Sequence, residues 1–272
     1  LDIKPIQKIG GQVIAALILI LAGVLPDFVS VAEFLGWNAP ESLNYIIGIP
    51  FVIFVVLGAA NSLNLLDGLD GLCAGVTAIM GIALLLLSIH LATWNTSIFG
   101  DPVRIIICLG LIGGVFGFLP FNRYPAKIFM GDAGSMLLGF TVASLFILFA
   151  NQGPRWLIAS LIVFGLPILD TATALIRRLI NKKPLVVSDR GHIYDQMIDR
   201  GIPLKKTVAV SYALTGLYAL IGLMTSQVKG RYTPIIFVIV FGISGLIVWK
   251  KGYFEMEGLR GARKKEEKPS TD

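Results

Sequence analysis

Asn61, Asn64, Asp67 and Asp70 recur at every third position inside one short stretch, NSLNLLDGLDGLCAG, which ends at Gly75. Steps of three drift only slowly around a helix, so this spacing predicts a single slanting polar stripe. Gly68, Gly71 and Gly75 are expected to loosen that helix and let backbone or ligand come close. The stripe lies between two apolar runs, Ile46 to Ala60 and Val76 to Ile89. Carboxylates this near a bilayer are costly unless they face a polar cavity, pair with cations or hold a metal. Two amides and two acids together point to a cation-dependent site for a phosphorylated ligand.

Two further polar blocks carry the same chemistry. Phe121 to Ser135 reads FNRYPAKIFMGDAGS, with Asp132 between glycines, Asn122 at its start and Arg123 and Lys127 close by. A lone Asp before a helix is commonly a cap. With the earlier acids and these cations, the set supplies hard oxygens for magnesium and positive charge for a nucleotide diphosphate. The third block, Asp189 to Gln196, reads DRGHIYDQ. It follows a basic run and the segment PILDTATALIRRL, whose Asp170 lies in an apolar stretch. Arg190 and Arg200 are expected phosphate contacts there.

The elements that must position these blocks are membrane helices. Of 272 residues, 55% are hydrophobic and 15% charged, and the mean hydropathy is +0.79. Soluble domains carry roughly 25% charged residues. Eight spans are expected, near 12–25, 46–60, 72–91, 103–119, 135–150, 156–176, 207–225 and 234–249, with an interfacial segment after the first. Residues 1–249 form one transmembrane domain, and 250–272 are expected to be a charged, disordered tail. Alternation places 19 of the 23 Lys and Arg on one side of the membrane. That asymmetry makes the side bearing all three blocks cytoplasmic. It also explains the net charge of +6 without nucleic acid. Two isolated cysteines make no disulfide or zinc framework.

The first block resembles the Asn-x-x-Asn-x-x-Asp-Gly-x-Asp-Gly-Leu pattern of the polyprenyl-phosphate N-acetylhexosamine-1-phosphate transferases, the superfamily of MraY, WecA and TagO. The second is similar to that family's Phe-Asn-x-x-Pro-Ala…Phe-Met-Gly-Asp-x-Gly-Ser block. The resemblance implies that Asp132 is the principal Mg2+ ligand (Mn2+ being an alternative ion) and Asn64 a second. It implies that Phe129 stacks on uracil, that Asn61 and Asn122 belong to the substrate site, and that Asp67 and Asp70 serve the nucleotide and phosphate end as catalytic acids. The family's His-x-His motif is met by His192 for diphosphate and sugar, but Tyr194 stands where the second His is expected.

The implied reaction transfers N-acetylhexosamine 1-phosphate, GlcNAc-1-phosphate above all, from a UDP-sugar to undecaprenyl or another polyprenyl phosphate. UMP is released, at the start of cell-envelope polysaccharide synthesis. Partners would be the UDP-N-acetylhexosamine, the polyprenyl lipid and the bacterial plasma membrane; a homodimer is left open. The family also has an Asp-Asp pair that by spacing falls just before Leu1. The resemblance thus implies an eleven-helix protein of which this all-α chain holds the C-terminal part, inactive alone. The competing class is an ion-coupled transporter, which predicts acids near helix midpoints and broken helices in repeated halves.

Overall fold

The computed structural model describes residues 5–34, 36–94, 102–182 and 191–255. Arg190 and residues 256–272 of the expected tail lie outside them. The described residues form helices without strands: α1 (Pro5–Leu21), α2 (Phe28–Phe34), α3 (Leu43–Leu66), α4 (Leu72–Trp94), α5 (Pro102–Asn122), α6 (Gly131–Ala150), α7 (Pro154–Val163), α8 (Gly165–Ile180), α9 (Ile193–Asp199), α10 (Leu204–Thr225) and α11 (Thr233–Lys250). A short 3-10 turn, Gly230–Tyr232, precedes α11.

Six of these helices are long and apolar enough to cross a membrane, and α1 is shorter. The sixth expected span is broken: α7 and α8 meet at a bend of 74°. The break has a composition behind it. Gly165 follows Phe164 and Pro167 comes two residues later, and α8 is amphipathic where the long spans are apolar all round. It buries Asp170, Thr173, Arg177 and Arg178 inward and exposes Leu175, Ile176, Leu179 and Ile180 outward. That division sets the polar face of α8 against the protein and its apolar face outward, beyond the bend that breaks the span.

α4 is the most enclosed span and α11 the least. Small residues set the closest approaches, as expected where packing and not hydrophobic collapse joins helices in lipid. A Cβ on Gly139 of α6 would overlap the backbone of Ala60 in α3. A Cβ on Gly222 of α10 would press into α7 at the Ala159 carbonyl. α3 and α6 therefore run in direct backbone contact, which brings the C-terminus of one beside the N-terminus of the other.

The expected disordered tail begins with structure. Tyr253 is buried, its carbonyl accepts from Gln196 Nε2 at 2.9 Å, and Arg200 stacks on its ring at 4.0 Å. Two aromatic residues at 253–254 give the first turn after α11 an apolar face, which docks it under α9.

Candidate active site

The polar stripe expected on one helix is not continuous. α3 stops at Leu66, Asp67 is its C-cap and Asp70 sits in the turn before α4. A period of three fits a helix and a tight turn equally well, and Gly68 and Gly71 decide for the turn. Gly71 has φ +77°, open to glycine at little cost. The backbone groups this break orphans are met by side chains from other blocks. Tyr194 Oη donates to the Leu65 carbonyl at 2.7 Å, Tyr212 Oη to the Gly71 carbonyl at 2.6 Å, and Asn122 Oδ1 accepts from the Gly71 N–H at 3.2 Å.

The break turns the acids into a cavity of about 540 Å³ at the ends of α3 and α6. Asn64, Asp67, Asp70, Asn122, Phe129, Asp132, His192, Tyr194 and Asp195 line it. Asp132 lies in the first turn of α6, where a carboxylate meets the positive end of the helix. Asn64 Nδ2 donates to Asp132 Oδ1 at 2.8 Å and to Ser135 Oγ at 3.0 Å. Lys8 of α1 forms an ion pair with Asp132 Oδ2. Asp67 is pushed up to about 6 by burial and by the Asp132 charge, against the Gly131 N–H that donates to it. Gly131 takes φ +67°, a conformation that suits glycine.

Other expected residues hold the site's walls. Asp70 Oδ2 accepts from the Ala126 N–H at 2.9 Å, and Asn122 Nδ2 donates to the Ile128 carbonyl at 3.0 Å. The first ties the first block to the loop before α6, and the second holds that loop against the end of α5. Phe129 is 76% exposed at the rim, an unusual place for a phenyl ring. Asn61 does not line the cavity: its amide is shared with Gln12, at 3.0 and 3.3 Å, and with the Leu57 carbonyl. One turn of α3 away from Asn64, it faces α1 instead. Arg123 and Lys127 are exposed beside the cavity without lining it.

His192 is buried at 4% exposure, not the surface residue that an isolated loop histidine commonly is. Its Nδ1 lies 2.7 Å from Asp170 Oδ2, and its ring stacks on Tyr194 at 5.6 Å. Burial opposes a charge on the imidazole, yet the Asp170 carboxylate raises its pKa overall. Tyr194 fills the space over Gly68, where a Cβ would overlap its hydroxyl. Lys8, Asp170 and Asp195 were not singled out as site residues by sequence. Lys8 had no local signal, whereas Asp170 stood out as an acid in an apolar stretch.

The donor set suits a hard divalent ion. Asp132, Asp67 and Asn64 offer oxygens, and Lys8 already supplies the positive charge that Asp132 attracts. Among the described residues no three His, Cys, Asp or Glu side chains form a closed metal cage.

Fold and site together define a polytopic membrane protein with an acid-lined cavity at the ends of its spans. Residues 1–150 match the sequence profile of glycosyl transferase family 4. A Bacillus subtilis (strain 168) protein named probable undecaprenyl-phosphate N-acetylglucosaminyl 1-phosphate transferase is 31% identical over 258 residues, covering 91% of this chain and 65% of its own length. A phospho-N-acetylmuramoyl-pentapeptide-transferase of Acetivibrio thermocellus is 30% identical over 203 residues, 73% of this chain and 57% of the relative. One of Enterococcus hirae is 34% identical over 171 residues, 63% and 48% respectively. The chain thus spans less than two thirds of the length of these relatives. It belongs to glycosyl transferase family 4, within the superfamily of MraY, WecA and TagO.

Proposed function

We propose that the protein transfers N-acetylhexosamine 1-phosphate, with GlcNAc the first candidate sugar, from a UDP-sugar to a polyprenyl phosphate such as undecaprenyl phosphate. The observation that carries this reading is the convergence of Asn64, Asp67 and Asp132 on one cavity at helix ends. A phosphate oxygen of the lipid attacks the sugar-bearing phosphorus, and the bond from that phosphorus to the bridging oxygen breaks. UMP leaves, and the lipid keeps a diphosphate bearing the sugar. Such a step depends on in-line placement and charge neutralisation more than on covalent help from the protein.

Each residue has a part in that placement. Phe129 offers an open ring face for uracil, beside Asn122 and Asp70, which fix the loop that carries it. Lys8 lies where an incoming lipid phosphate or the diphosphate would replace Asp132 as its partner. Asp67, pushed up to about 6, is matched to a phosphate monoester whose second proton titrates near the same value. It takes that proton as the lipid phosphate becomes the nucleophile. Asp132 and Asn64 would hold Mg2+ or Mn2+, which when bound supplies charge neutralisation at the diphosphate. The cavity faces the cytoplasm of a bacterial plasma membrane, where UDP-sugars are found, and the attacking lipid phosphate sits at the bilayer edge.

The acids gather at helix ends, and the single bend between α7 and α8 is not repeated among the described residues, which disfavours a transporter. The test is UMP release from UDP-GlcNAc by membranes carrying the full-length protein, with label passing to lipid. Asp132→Asn should lower that rate by about 100-fold or more, the scale of losing one key transition-state partner. Full turnover by the variant, or UDP-sugar uptake without UMP, contradicts the reading.

A further inference from the structure

We propose that Asp170 is the positioning residue for His192, holding the imidazole by Nδ1 so that Nε2 is presented to the cavity as a donor to a diphosphate oxygen. The inference rests on the transferase reading for the ligand, but the Asp170–His192 couple stands on geometry alone. Asp170 is 1% exposed in α8, just past the bend, and His192 is 4% exposed at the start of α9. Both oxygens of the carboxylate are used: Oδ2 lies 2.7 Å from His192 Nδ1, and Oδ1 accepts from the Ile193 N–H at 2.6 Å. One oxygen therefore fixes the ring and the other fixes the backbone that carries it.

A buried carboxylate on an imidazole nitrogen selects the tautomer with the proton on that nitrogen and favours the cation. His192 lines the cavity. With Nδ1 committed to Asp170, Nε2 is the nitrogen left for a ligand. Tyr194 lies parallel to the ring, offset, at an interplanar angle of 9°. The charged groups around the ring are Asp170 and Arg177 from α8 and Asp195 from α9, with the acids outnumbering the cation. Such an imidazolium gives a charge-assisted hydrogen bond to phosphate, stronger than a neutral donor would. The bend between α7 and α8 then has a role: it brings the acid from a membrane helix under the loop histidine.

Histidine-selective 15N NMR of the full-length protein in lipid reads His192 directly, with His192→Gln as the variant that assigns its signals by their loss. In the unaltered protein His192 should keep its proton on Nδ1 throughout the titration and lose charge above the ordinary histidine range. UDP should then perturb Nε2. Asp170→Asn should move the titration to lower pH, lower kcat/KM for UMP release by about 10- to 100-fold, and bring the alkaline limb of the pH profile down with it. Asp170→Asn with His192→Gln should be no slower than His192→Gln alone, because the acid acts through the ring. A proton on Nε2 alone, an unshifted titration in Asp170→Asn, or additive losses overturns the proposal. The unaltered protein decides the tautomer even if the variant does not fold. Absence of UMP release from the unaltered protein counts against the transferase reading, whereas silence of Nε2 toward UDP counts against the donor role.

Discussion

Asp67 carries a conflict that can be measured. Its folded pKa of about 6 lies above the ordinary 3.8, so between those values the folded protein holds a proton that the unfolded chain has released. The linkage sign follows: stability falls as pH rises from about 4 to about 6, and stays lower above that range. Asp67→Asn removes the penalty while keeping an oxygen to accept the Gly131 N–H. The variant should melt higher than the unaltered protein at about pH 8, with little gain at about pH 4, and should lose UMP release. An equal gain at both pH values, read by thermal unfolding in one detergent, would contradict the assignment. At this scale much was legible in sequence. Asn64, Asp67 and Asp132 are polar groups of types that hold cations, in places a membrane protein rarely tolerates them, and they share a cavity. Lys8 was not legible, because its partner is 124 residues away and only the packing of α1 on α3 joins them. Asn61 misled for a related reason: its type suits the site, but its helical phase turns it to Gln12.

Element boundaries follow from what satisfies the chain ends. The sequence spacing suggested one helix through Asp70, and the turn at Gly68 cuts it. Tyr194 makes that cut stable by donating to the Leu65 carbonyl while its ring covers the bare Cα of Gly68. No periodicity of residues 61–75 announces a tyrosine from the first turn of α9, more than a hundred positions on. Gly68→Ala should therefore displace a buried, hydrogen-bonded ring, loosening α9 and with it His192. Its expected readouts are faster proteolysis in residues 191–200 and lower turnover; an unchanged pattern contradicts the latch. The α3–α6 contact is stricter, because the neighbour of Gly139 is backbone, which cannot swing aside. Gly139→Val should cost about 1–3 kcal/mol, the range for overpacking a tight interface, and should spread Asn64 from Asp132. Loss of thermal stability and of UMP release together is the expected result, and full retention of both would show that the helices part freely. The broken sixth span was only partly legible. Its hydropathy reads as one crossing, and the charged face of α8 appears only once Asp170, Arg177 and Arg178 are seen to share a side.

Across the whole molecule the two ends differ in kind. At the far end Arg104 donates to the Leu148 carbonyl near the end of α6, Arg155 lies over Trp156 at 4.7 Å and Arg231 over Tyr232 at 4.8 Å. His90, on the last turns of α4, meets Ser226 and Gln227 there. Aromatic rings paired with a few cations are typical of a membrane–water boundary. Among the described residues, the other end carries the cavity, α8 and most of the Lys and Arg, including exposed Lys127 and Lys205. The structure thus separates a cavity end rich in cations from an end with few, and the proposed topology turns the cavity end toward the cytoplasm. Single cysteines can test this against the unaltered protein as background; Cys73 and Cys108 are both buried. Lys127→Cys and Lys229→Cys place one exposed thiol at each end. In intact cells a membrane-impermeant maleimide should label position 229 and spare 127, and both should react once the membrane is opened. Labelling of 127 but not 229 in intact cells would invert the topology and put the acids out of reach of cytoplasmic UDP-sugar. Labelling of both would mean that the two ends are not on opposite faces, against the direction of every helix from α3 to α6.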